Sequence, residues 1–143
     1  MKRKLNCVLL IDDNDSDNFL HKKVIEKSGF ADHIEVAING KEALDFLTDT
    51  GKHAKQGHAN TPPELIFLDI NMPVMDGWEF LDEYQKLDDF QKGKIVIVML
   101  TTSLNPADKV KAEQQINSGC FQYKPLTIAM LTEIIEKWFP EYL

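Results

Sequence analysis

The stretch Leu65-Ile66-Phe67-Leu68-Asp69-Ile70-Asn71-Met72-Pro73-Val74-Met75-Asp76-Gly77 decides how this chain is read. An apolar run ends on a carboxylate and then breaks on proline and glycine. A buried strand that delivers Asp69 to its C-terminal end in this way sets the carboxylate in a crevice, and in open α/β sheets that crevice is where ligands bind. A second acidic pair, Asp12-Asp13, closes another apolar run, Cys7-Val8-Leu9-Leu10-Ile11. Carboxylates collected from the ends of different strands suit a hard cation such as Mg²⁺, which prefers oxygen ligands.

Working outward, five apolar stretches read as strands: 7–11, 34–38, 65–69, 95–100 and 120–123. Helical patterns fill the gaps. Ser16 or Asp17 is placed to cap a first helix that carries Phe19, Leu20, Val24 and Ile25 and stops at Gly29. A second, 41–49, puts Ala43, Leu44 and Leu47 on one side, and a third covers 78–87. Pro106 opens a fourth that Gly119 ends. The fifth, 127–138, spaces Met130, Leu131, Ile134, Ile135 and Trp138 as an inward stripe. Strands that alternate with helices, and that are themselves almost wholly apolar, predict a parallel sheet covered on both faces. Residues 48–63, rich in Gly, His, Lys and Asn, have no apolar period and read as a long connection; His53 and His58 in it read as solvated rather than as metal ligands. Asp15 and Asp17 likewise read as solvated acids at the start of the first helix.

At 143 residues the chain is expected to be one domain, with its core over about 5–138. The net charge of −7 argues against direct nucleic-acid binding, which draws on clustered Lys and Arg. No apolar stretch approaches the roughly 20 residues needed to cross a bilayer. The basic start, Met1 to Lys4, precedes a short apolar run that ends on four aspartates without a small-residue cleavage site. The expectation is a cytoplasmic protein without membrane insertion. Cys7 and Cys120 show no metal spacing and read as buried free thiols.

Four places would meet at one end of such a sheet: Asp12-Asp13, Asp69, Thr101-Thr102 and Lys124-Pro125. Three acids, a hydroxyl and an ammonium form a coherent set for phosphoryl transfer. The acids hold Mg²⁺, the lysine and hydroxyl take phosphate oxygens, and one carboxylate acts as nucleophile.

Asp12-Asp13, the Leu68 to Gly77 block, Leu100-Thr101-Thr102 and Lys124-Pro125 together resemble the CheY-like receiver domain of two-component response regulators, in order and approximate spacing, from about Leu5 to Trp138. The resemblance implies a flavodoxin-like (βα)5 doubly wound parallel sheet with strand order 2-1-3-4-5. It implies Asp69 as phosphoacceptor, with Mg²⁺ held by Asp13, by Asp12 mainly through water, by Asp69 and by the Asn71 backbone carbonyl. Thr101 and Lys124 would take phosphoryl oxygens, and Thr101 with Phe121 would form the switch that reports charge on Asp69 to the face of helix 4, strand 5 and helix 5. Thr102 stands where the family more often has a small residue; Asn71 and Ser103 occupy variable positions. Trp78, Trp138 and Phe139 read as packing.

The function this implies is a single-domain response regulator, not an enzyme beyond assisting its own phosphorylation and dephosphorylation. The implied donor is a histidine kinase or histidine phosphotransfer protein. With the chain ending at Leu143, output is expected through protein contacts, onward phosphotransfer or a phosphorylation-dependent homodimer. Two other classes compete. A phosphorylation-independent binding module of the same fold would generally lack an acid, the lysine or the hydroxyl, and all are present. A phosphohydrolase of the haloacid dehalogenase type would carry its nucleophile after the first strand and leave the Asp69 block without a role.

Overall fold

The computed structural model describes residues 4–48, 63–87, 95–102, 105–115 and 121–142. The elements alternate throughout: β1 (Val8–Ile11), α1 (Asp15–Ser28), β2 (Ile34–Ala37), α2 (Gly40–Leu47), β3 (Leu65–Leu68), α3 (Gly77–Gln85), β4 (Val96–Thr101), α4 (Pro106–Gln115), β5 (Phe121–Tyr123) and α5 (Ile128–Trp138). The five strands are all parallel and form one sheet in the order β2-β1-β3-β4-β5. This is the flavodoxin-like topology expected from the sequence.

Alternation along each strand sorts the core into two layers. Leu9 and Ile11, Ile66 and Leu68, and Ile97 and Met99 pack with Phe46, Phe80, Leu81 and Ala112 from α2, α3 and α4. Val8 and Leu10, Leu65 and Phe67, and Val98 and Leu100 pack with Ile25, Leu131, Ile134 and Ile135 from α1 and α5. Both faces of β1 and β3 are therefore buried, which is why those strands read as continuous apolar runs.

Helix ends differ from expectation in one informative place. The cap of α1 is Asn14, not Ser16 or Asp17: its side chain accepts from the Asp17 amide at 2.9 Å. Helix α1 thus begins immediately behind the Asp12-Asp13 pair, and Gly29 closes it with φ +73°. Asp76 caps α3 in a full capping box with Glu79, and Thr127 caps α5. Strands β2 and β3 each end one residue before the expected point, at Ala37 and Leu68. Phe139 is buried, while Trp78 and Trp138 are partly buried against the core. The expected end of α4 at Gly119, together with Ser103, Cys120, His53, His58 and most of the connection before β3, lies outside the described residues. No helix among those described is long and apolar enough to cross a membrane.

Candidate functional site

Strand register builds the site. Ile11 lies opposite Leu68 in the parallel β1–β3 pair. The next residue of each strand is therefore a neighbour of the other, and the Asp69 amide donates to the Ile11 carbonyl at 2.9 Å. Asp12 and Asp69 are consequently the first residues past the C-terminal ends of two adjacent central strands, at the point where the chain's winding changes direction. On the other side, β4 pairs with β5 so that Thr101 faces Tyr123, and the Lys124 amide donates to the Thr101 carbonyl at 2.9 Å. The sheet thus carries Asp12, Asp13, Asp69, Thr101 and Lys124 to one end.

Asp12 and Asp69 are buried, Asp13 is exposed, and one carboxylate oxygen of each lies within 4.8 Å of the others. Oxygen ligands that share a divalent cation at about 2.1–2.6 Å cannot be separated by much more than twice that distance, and this trio satisfies the limit. The Lys124 ammonium contacts Asp12 Oδ2 at 2.6 Å, Asp17 Oδ2 at 2.8 Å and Asp69 Oδ1 at 3.6 Å. Four carboxylates (Asp12, Asp13, Asp17 and Asp69) against one ammonium leave three formal negative charges in excess. Such an excess at a half-buried sheet end favours a cation.

The electrostatics carry the same message. Burial, and after it the charge of Asp12, pushes the Asp69 carboxyl up from 3.8 to about 6, against the opposing pull of Lys124. For Lys124, burial works against the charged form, but hydrogen bonds to Asp12 and Asp17 outweigh it and hold the ammonium protonated above its usual range. Lys124 is thus spent mainly on Asp12 and Asp17, and Asp69 is left short of positive charge.

The loop after β3 shapes the floor. The Gly77 amide donates to the Ile70 carbonyl at 2.8 Å, and a Cβ on Gly77 would stand 2.5 Å from the Asp69 carbonyl oxygen. Only glycine permits that approach. Val74, exposed at the loop tip, takes a left-handed φ of +68°, a strained conformation for a β-branched residue. Asn71, whose carbonyl the family resemblance nominates as a ligand, is exposed on the same loop.

Phe121 is 7 % exposed and meets the half-exposed Tyr123 edge-on, ring centroids 5.5 Å apart. Thr101 is buried and Thr102 exposed. The Lys124–Pro125 peptide is cis.

Two side chains escaped the sequence pattern. Asp17 is not a solvated helix-start acid: it reaches across to Lys124, 107 residues away. Asn18, buried on the next position of α1, donates from Nδ2 to the Asp12 carbonyl at 2.8 Å and so fixes the turn that carries Asp12. Its Oδ1 has no hydrogen-bond partner among the described residues. Asn18 also lines, with Asp12, Asp69, Phe67 and Leu100, a cavity of roughly 10 Å³, about the size of one water. An Asn-x-x-Asp spacing was the available signal for the Asn14 cap; no local signal marks the roles of Asp17 or Asn18.

The class of protein defined by this geometry is a doubly wound α/β domain with an acid pocket and a lysine at the sheet's C-terminal end. Residues 8–136 match the sequence profile described as response regulator receiver domain, and the chain belongs to that family. It is 31 % identical over 130 residues to "Response regulator Rcp1" of Synechocystis sp., covering 90 % of this chain and 83 % of that protein. Among solved structures, a two component response regulator from Cytophaga hutchinsonii superposes with TM-score 0.81 at 33 % identity, covering 97 % of this chain and 100 % of that one. The Mn²⁺-bound form of response regulator Rcp1 superposes with TM-score 0.69 at 31 % identity, covering 93 % and 94 %. Receiver domains interact with histidine kinases or phosphotransfer proteins.

Proposed function

We propose that this protein is a response regulator whose Asp69 accepts a phosphoryl group from a histidine kinase or histidine phosphotransfer protein. The single observation that carries the proposal is the pocket in which Asp12, Asp13 and Asp69 converge within 4.8 Å while Lys124 sits 3.6 Å from Asp69. A carboxylate Oδ of Asp69 attacks phosphorus; an O–P bond forms, the donor's N–P bond breaks, and the imidazole leaves with the electron pair. Asp12, Asp13 and Asp69 fit a divalent cation such as Mg²⁺, with the Asn71 carbonyl as the further ligand the family resemblance nominates, and the manganese-bound form of Rcp1 supports a divalent cation. When bound, that cation would offset charge on the phosphate oxygens. Lys124 and the Thr101 hydroxyl supply the remaining donors.

Burial of Asp69 serves the chemistry. A carboxylate stripped of water and pressed by Asp12 is a ground state of raised energy, and cation binding would relieve the repulsion. The added charge of about −1.5 to −2 would then draw Thr101 inward and favour a rearranged Phe121, altering the surface of α4, β5 and α5 that signals to a partner or a second copy. The protein in this reading is a phosphoacceptor that assists its own phosphorylation and dephosphorylation rather than an enzyme acting on other substrates. Incubation with Mg²⁺ and acetyl phosphate, followed by intact-mass measurement, tests it. One added phosphoryl group, absent without Mg²⁺ and absent in Asp69→Asn, is the expected result; no adduct in the wild type would refute it.

A further inference from the structure

An ammonium has three N–H donors. Lys124 uses two of them at hydrogen-bond length, on Asp12 and Asp17, and stands 3.6 Å from Asp69, beyond that range. Of its two close partners, Asp17 lies outside the three-acid cluster and belongs to α1 rather than to the sheet.

The local capping pattern explains why Asp17 is available. It occupies the third position of α1, from which an acidic side chain ordinarily turns back to the cap amide, as Glu79 does to Asp76 at 3.2 Å in α3. In α1 the cap amide of Asn14 is already taken by Asp12 Oδ1 at 3.0 Å. The Asp17 carboxylate is left to reach Lys124.

We propose that Asp17 is a positioning residue that holds Lys124 against α1 in the unphosphorylated protein and yields it when a phosphoryl group forms on Asp69. The inference rests on the receiver reading above. Asp12 is tied to Asp69 through the β1–β3 ladder and cannot separate from it, whereas Asp17 sits on a different element. The Asp17 side chain is 31 % exposed against 7 % for Asp12, so water can take over its carboxylate. Each phosphorylated molecule therefore gives up one charge-assisted pair, and Asp17 weights the equilibrium toward the unphosphorylated arrangement. Removing it lets Lys124 turn to Asp69 without that loss.

Beryllofluoride, a phosphoryl mimic, provides the test. Its affinity is measured in saturating Mg²⁺ by backbone amide shifts for the wild type, Asp17→Asn, Asp17→Ala, Asp17→Glu and Asp15→Asn. Asp15, exposed at the first position of the same helix, controls for charge removed through space. Asp17→Asn and Asp17→Ala are expected to bind about three- to tenfold more tightly than Asp15→Asn, the scale of a half-exposed charge-assisted pair. Asp17→Glu, which restores the carboxylate, is expected to return toward the wild type, a rescue that mere repair of the helix start would not produce. Affinities of Asp17→Asn and Asp17→Ala within twofold of Asp15→Asn, or weaker than wild type, overturn the inference while leaving the receiver reading intact. Failure of the wild type itself to bind beryllofluoride overturns both.

Discussion

Replacing Asp69 by asparagine should make the metal-free protein more stable, although it removes the group proposed to do the chemistry. Burial and the neighbouring Asp12 lift the Asp69 carboxyl from 3.8 to about 6 in the folded chain. The sign follows from linkage: a group whose folded value is raised favours folding in its protonated form, so its contribution is complete below about pH 4 and is lost as pH climbs through about 6. At pH 7.5 the folded wild type bears the full cost of an ionised, half-compensated carboxylate. The difference between 3.8 and about 6 corresponds to about 3 kcal/mol. An asparagine side chain cannot ionise, yet it keeps an oxygen that can accept from the Ile70 amide. Urea unfolding followed by far-ultraviolet circular dichroism in EDTA should therefore show Asp69→Asn more stable by up to about 3 kcal/mol at pH 7.5, with the gap closing toward zero near pH 4. Millimolar Mg²⁺ should also narrow the gap, by stabilising only the wild type substantially. Equal or lower stability of Asp69→Asn at pH 7.5, or a gap that ignores pH, would refute the reasoning.

Other substitutions separate the remaining contributions. Lys124→Met strands Asp12 and Asp69 without their cation and should cost about 3 kcal/mol or more at neutral pH, less in acid, by the same urea titration. Gly77→Ala drives a Cβ into the Asp69 carbonyl, a backbone obstacle, and should cost at least about 2 kcal/mol; Gly40→Ala meets only the movable Met75 side chain at 2.8 Å and should cost less. Val74→Gly relieves a left-handed β-branched residue and should raise the thermal midpoint, by up to about 1 kcal/mol of stability. The Cys7 thiol, which burial and then Glu35 and Glu64 push up to about 12, should resist a thiol-reactive dye in a Cys120→Ser background until the protein unfolds.

A parallel sheet and the meeting of four sequence blocks were legible because they rest on strong, local signals, whereas the strand order came from the resemblance to receiver domains. Apolar runs of four or five residues ending on Asp12 and Asp69 can be buried on both faces only as central parallel strands, and parallel register then aligns their ends. The Asp69 block was legible for a related reason: proline and glycine there answer to backbone demands, the clearest being the approach of Gly77 to Asp69. Less was visible at α1. Four aspartates and two asparagines compete for capping between Asp12 and Asn18, and helix propensity alone does not rank them. Asn14 wins because the helix must start directly behind β1. Once it does, Asp17 points across the sheet end to a lysine 107 residues distant, a relation fixed by the packing of α1 in one layer with α5 and by no neighbouring residue. Asn18 is similar: its hydrogen bond to the Asp12 carbonyl depends on a helix direction that only the assembled layers define.

The identity of the phosphorylated side chain is the point on which most depends. Reducing the protein with borohydride after treatment with Mg²⁺ and acetyl phosphate converts an acyl phosphate to an alcohol, so the modified aspartate becomes homoserine and can be located by peptide sequencing in a mass spectrometer. The expected result is homoserine at position 69 and nowhere else. Homoserine at position 12 or 13 instead, or none at all in protein shown to be folded, would contradict the assignment of Asp69 as the phosphoacceptor.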